Sequence, residues 1–105
     1  MTMSEPPGDN SIIGSLRPYE WSSEDAVAYE VAIEAINGAI GAYTARIAAE
    51  EAKPERDAAA IERWHAGQAE CVRRRRQLDP DNQAQIAEAR QHFTALAEDV
   101  RAGRA

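Results

Sequence analysis

The sequence predicts an all-α protein, an antiparallel three-helix bundle with a long first helix and an extended N-terminal tail. Three observations lead there. A Pro-free run from Ser23 to Glu51 carries Ala26, Tyr29, Ile33, Ile36, Ile40, Tyr43 and Ile47 at steps of three and four. That is the seam of a helix lying along other helices. β-Branched and aromatic residues never alternate over strand length, so no sheet is expected. Two Pro-marked breaks, Lys53-Pro54 and Asp79-Pro80, divide the rest into two shorter helical runs. A chain of 105 residues has room for one domain, here a tail over 1–20 and a bundle over 21–102.

The tail differs in composition from everything after it. Pro6-Pro7-Gly8-Asp9-Asn10 and Pro18 break helices, so an extended or disordered segment is expected. The apolar island Ile12-Ile13-Gly14-Ser15-Leu16 reads either as a strand-like arm on the bundle or as a linear motif that orders on a partner.

Helix 1 is expected to start at Trp21-Ser22-Ser23-Glu24-Asp25. Ser22 or Ser23 can cap it, and the two acids complement the helix dipole. Trp21 is placed to fold back as a hydrophobic staple. At about 1.5 Å per residue the helix is on the order of 45 Å long. Away from the seam it carries Val27, Val31, Ala35, Gly38, Ala42 and Ala49. Glu30, Glu34, Asn37 and Thr44 occupy a narrow polar strip. A helix apolar nearly all round is buried on more than one side. Gly38 and Gly41 each weaken a helix interior by about 1 kcal/mol relative to Ala, which suggests that another backbone comes close there. Both flanks could be filled by the other two helices, or one could be left for another chain.

Glu55-Arg56-Asp57 is expected to open helix 2, which runs to about Gln77. Its core positions are Ile61, Trp64, Cys71, Val72 and Leu78, interrupted by Gln68 and Arg75, with Gly67 weakening the middle. Asp79 is expected to cap helix 3, with Pro80 in its first turn. Ile86, Ala89, Phe93, Leu96 and Val100 form its seam up to about Arg101, and Gly103 marks fraying. Short connections make neighbouring helices antiparallel.

The formal net charge is −6. An acidic chain lacks the positive face that phosphate contacts need, so no nucleic-acid partner is expected. It suits a protein with a basic cleft. No apolar run approaches the roughly 20 residues of a membrane span, so no membrane partner is expected. A single Cys71 forms no internal disulfide, and there is no secretion-type start. The expected location is therefore the cytoplasm.

Catalytic chemistry is sparse. Arg73-Arg74-Arg75-Arg76 could bind phosphate or an acidic surface, but consecutive helical residues point in different directions, and the run also suits a solvated helix end. Trp64 and Gly67 resemble the Trp-x-Gly turn of small secreted helical-hairpin proteins, with the spacing off by one. His65 and His92 lie on different helices without a ligand pattern. Cys71 lacks an evident base. The expectation is a non-enzymatic module with no catalytic residue, metal or cofactor.

Several stretches resemble the small antitoxins that accompany zeta-type toxins in bacteria. They are Tyr29-Glu30, Ile36-Asn37-Gly38-Ala39-Ile40, Ile47 with Glu50-Glu51-Ala52-Lys53-Pro54, Arg76-Gln77-Leu78-Asp79, and Ala84-Gln85-Ile86-Ala87 with Arg90. Zeta-type toxins are P-loop kinases that phosphorylate a nucleotide-sugar precursor of peptidoglycan. The resemblance implies an epsilon-like antitoxin, a helical bundle that covers the toxin's nucleotide-binding cleft. It also implies partner contacts from helix 1 and the segment before it, with Tyr29, Glu30, Glu34 and Asn37 nearest the cleft. With the apolar flank, the expected partner-binding set is Trp21, Val27, Tyr29, Glu30, Val31, Glu34, Asn37, Gly38 and Gly41. The assembly would be a heterotetramer with the toxin or, in the competing reading, a homodimer of a self-associating adaptor or structural protein.

Overall fold

In the computed structural model, residues 23–105 are described, and they form three helices and no strand: α1 (Ser23–Glu51), α2 (Ala58–Gln77) and α3 (Gln83–Arg101). The tail over 1–20, the Trp21 staple and a cap at Ser22 lie outside these residues. Ser23 is already helical. The all-α bundle and the bounds of α1 agree with the sequence reading.

Helix directions follow from the bridging side chains. The Asp57 amide donates to Glu50 at 2.9 Å, and Arg75 donates to Asn37 farther back along α1. Thus α1 and α2 are antiparallel. Trp64 Nε1 donates to the Ala105 carbonyl at 3.3 Å, and Arg74 pairs with Glu88 at 3.0 Å, so α3 runs back along α2. α1 packs against both companions, while α2 and α3 do not approach each other at the backbone. The long helix is therefore the shared wall of the bundle.

The core is built from small residues on α1 and larger ones opposite. Ala32, Ile36, Ala39, Ala42, Tyr43 and Ile47 are buried on α1. Ala60, Trp64 and Cys71 come from α2, Leu78 from the connection, and Ile86, Ala89, Phe93, Ala97 and Val100 from α3. The buried stripe is displaced from the expected isoleucine seam. Tyr29, Ile33 and Ile40 are only partly buried at its margin, and Ala32 and Ala39 lie at its centre. Short side chains on α1 and α3 permit a close approach, so the deepest line of α1 follows its alanines.

Both later helix starts differ from expectation. α2 begins at Ala58, with Asp57 as cap accepting from the Ala60 amide at 3.1 Å. The acid preferred in a first turn is here better used outside it, where its carboxylate satisfies an orphan amide. α3 begins at Gln83 with Asn82 as cap. Asp79 instead closes a turn ahead of it, accepting the Asp81 amide on its side chain and the Asn82 amide on its carbonyl. Such an Asx turn competes with helix initiation at that residue.

Gly67 marks a close approach across helices. A Cβ there would stand 2.4 Å from Cζ of Tyr43, so the ring fits only over a glycine. Gly41 is the opposite case, with nothing within 4 Å, and Gly38 meets only the guanidinium end of Arg101 at 4.0 Å. The backbone approach expected at these two glycines does not occur within the described residues.

Two outcomes are expected from urea denaturation. Gly67→Ala should lower stability by about 1–3 kcal/mol through overpacking on Tyr43, although Ala is the better helix former. Gly41→Ala should raise it by about 0.5–1 kcal/mol, because only propensity changes.

The α1–α2 turn also carries a pH signature. The Asp57 amide, then Lys53 at 3.0 Å, hold the Glu50 carboxyl below the usual carboxylate range. Its contribution is full above that range and is lost as pH falls through the depressed folded value. Glu50→Gln should lower Tm at neutral pH, and the difference from the parent should shrink as the medium is acidified below the ordinary carboxylate range.

Candidate partner-binding face

α1 turns one side to its companions and leaves the other uncovered. Val27 is 56% exposed and Val31 38%, and they are the two exposed large hydrophobic residues among those described. Glu30, Glu34 and Gly41 are exposed with them, and Gly38 is half-buried. Positions 27, 31, 34, 38 and 41 follow the four–three spacing of a second helical seam. Ala45 and Ala48 extend it and are also exposed. The side expected from the sequence shares Val27, Val31 and Gly38 with this strip and adds Ala35, Ala42 and Ala49, of which Ala49 is exposed and Ala35 packs against the core. Ala42 is in fact in the core. The continued seven-residue spacing from Val31 and Gly38 to Ala45 was the signal for the true strip.

Of the nine residues expected to bind a partner, Val27, Glu30, Val31, Glu34, Gly38 and Gly41 share this outward side. Asn37 lies at its edge toward α2, where its side-chain oxygen accepts from Arg75. Tyr29 is turned inward and packs against the core. Trp21 lies outside the described residues.

The charge on this side is of one sign over its first half. Residues 23–45 include Glu24, Asp25, Glu30 and Glu34 and no Lys or Arg. Glu24, Glu30 and Glu34 take part in none of the ion pairs formed by the described residues. A cation enters the strip from α3, where Arg101 reaches Gly38.

The arginine run is engaged inside the bundle. Arg73 pairs with Glu70 and donates to Gln77 at 3.1 Å. Arg74 joins Glu88 and covers the Phe93 ring at 5.2 Å. Arg75 holds Asn37, and Arg73 and Arg76 are the exposed members of the run. Three arginines thus tie α2 to itself and to both neighbours, and the run forms no single basic patch.

Other chemistry-bearing groups are not assembled. His65 and His92 are exposed on different helices, and no metal-binding cluster occurs among the described residues. Cys71 is buried, and burial followed by the neighbouring Glu70 pushes its thiol up, away from the thiolate a nucleophile requires. Shallow depressions between α1 and α2 are lined by Ile47, Glu51, Ile61, Glu62 and His65. No helix among the described residues is long and apolar enough to cross a membrane.

Comparison with protein-family models, with curated proteins and with solved structures finds no match to this chain.

If the outward strip has no role in holding the bundle, Val27→Ser and Val31→Ser together should change unfolding free energy by only about 0.5 kcal/mol. Ile36→Ala, at a fully buried position, should lower it by about 2–5 kcal/mol. Thermal and urea melts followed by circular dichroism make the comparison.

Proposed function

We propose that this chain is an antitoxin that binds a zeta-type P-loop kinase toxin and inhibits it by covering its nucleotide-binding cleft. The observation that carries the reading is the uncovered strip of Val27 and Val31, bordered by Glu24, Glu30 and Glu34. Exposed apolar side chains beside charges of one sign suit a protein surface of opposite charge. A cleft built to hold ATP phosphates is basic. The chain's net charge of −6 favours fast encounter with such a cleft. The resemblance along α1 and α3 supplies the toxin class. In this reading the chain performs no reaction of its own and acts in the bacterial cytoplasm.

The test is co-expression with a zeta-type kinase encoded beside this chain. The two proteins are expected to co-purify, to restore growth of the host, and to abolish nucleotide-sugar phosphorylation in vitro. Val31→Lys should weaken the complex by about tenfold or more, since it sets a buried cation against a basic cleft. Separate purification of the two proteins, with kinase activity intact, sinks the proposal.

A second reading is a self-associating helical adaptor. It is favoured by the open space at Gly41 and by exposed Ala45 and Ala48 on the same strip, which two copies could share about a two-fold axis. Light scattering on the isolated protein separates the two. A concentration-independent dimer that ignores the kinase supports the adaptor, and a monomer that joins the kinase supports the inhibitor.

A further inference from the structure

We infer that the occupant of the outward strip of α1 is a helix of a second protein, lying lengthwise over Val27, Val31, Gly38 and Gly41, with lysine or arginine side chains against Glu30 and Glu34. This rests on the strip's being a partner-binding surface, and it does not require the partner to be a kinase.

Three observations converge on a helix with a basic flank. The exposed residues keep a seven-residue repeat, with Val27, Glu34 and Gly41 on one line and Val31, Gly38 and Ala45 on the other. That spacing faces a helix running nearly along it. The strip narrows in side-chain size from valine to glycine, and no atom of the described residues lies within 4 Å of a Cβ built at Gly41. Larger side chains of an opposing helix can enter there while its backbone comes close. Glu30 flanks the apolar line and Glu34 stands within it, both outside every ion pair formed by the described residues.

A second copy of this chain meets those conditions less well. Parallel pairing sets Glu30 and Glu34 against their own duplicates. Antiparallel pairing in the register that joins Val27 to Val31 sets Glu24 against Glu34. Like charges opposed across a helix contact are unfavourable. An antiparallel pairing centred on Gly38 avoids these clashes. It faces the valines with Ala45 and Ala49, however, sets Glu34 against Ala42, and offers Glu30 only Arg46, which the bundle holds over the Trp64 ring.

Two synthetic helical peptides test this on the full chain. Each spans about three heptads with the same Leu and Ala seam, one flanked by Lys and Arg and the other by Glu. Light scattering first records the oligomeric state, and titration calorimetry then measures binding. The expected result is a monomeric chain that binds the basic peptide about tenfold or more tighter than the acidic one. Glu30→Lys with Glu34→Lys should reverse that preference with an unchanged melting curve, since both positions are exposed. Equal binding of the two peptides, binding of neither, or a preference that the double variant leaves intact overturns the inference. A stable dimer that must dissociate before either peptide binds also overturns it and makes the second copy the occupant. Failure to inhibit a zeta-type kinase would defeat the proposed function and leave these measurements untouched.

Discussion

The bundle depends on the packing of α1 against α3 through alanine. Ala32 and Ala39 on α1, with Ala89 and Ala97 on α3, are almost wholly removed from water. Small side chains let the two backbones come near, and Ile36, Ile86, Phe93 and Val100 fill the remaining space. α2 joins from another side of α1, seated by the Tyr43 ring over Gly67. Because α2 and α3 stay apart at the backbone, most of the burial of either passes through α1. Loss of a large side chain on that helix would loosen two interfaces at once.

That arrangement explains why an apolar strip is left outside. Two companions cover two sectors of a helix, and the third sector is open to solvent. In a self-contained bundle such a sector is expected to be charged. Here it carries valines, glycines and alanines, with Glu34 among them and Glu24 and Glu30 on its borders. The glycines sharpen the point. Gly67 has a steric reason among the described residues, whereas Gly41 meets none of them within 4 Å and Gly38 meets only the guanidinium end of Arg101. Helix-weakening residues that no described neighbour explains are the physical ground of the proposal that a further contact forms there.

Much of the fold was legible. The Ser23–Glu51 helix, the two breaks, the α3 seam and the antiparallel order all follow from periodicity and turn chemistry. The caps were legible only in kind, since Asp57 and Asn82 are preferred cap residues but Pro54 and Pro80 each invite an earlier helix start and Asp79 and Asp81 also suit a cap. The core stripe of α1 was misread because hydropathy favours isoleucine over alanine, while burial is decided by which helix comes closest. The candidate strip was half legible: its valines and glycines were recognised, but Tyr29 and Asn37 were grouped with them although one packs inward and the other is held by Arg75.

By itself the sequence determined three helices, their order and an excess of apolar surface on the longest of them, because local periodicity, Pro and cap residues act within a few positions. Only the tertiary structure decided which side of that helix is covered. Rotation of α1 about its axis is set by side-chain size at the contacts with α2 and α3, with Ala32 and Ala39 wholly buried and the Tyr43 ring seated over Gly67. Those contacts join residues far apart in the chain, and no local pattern encodes them.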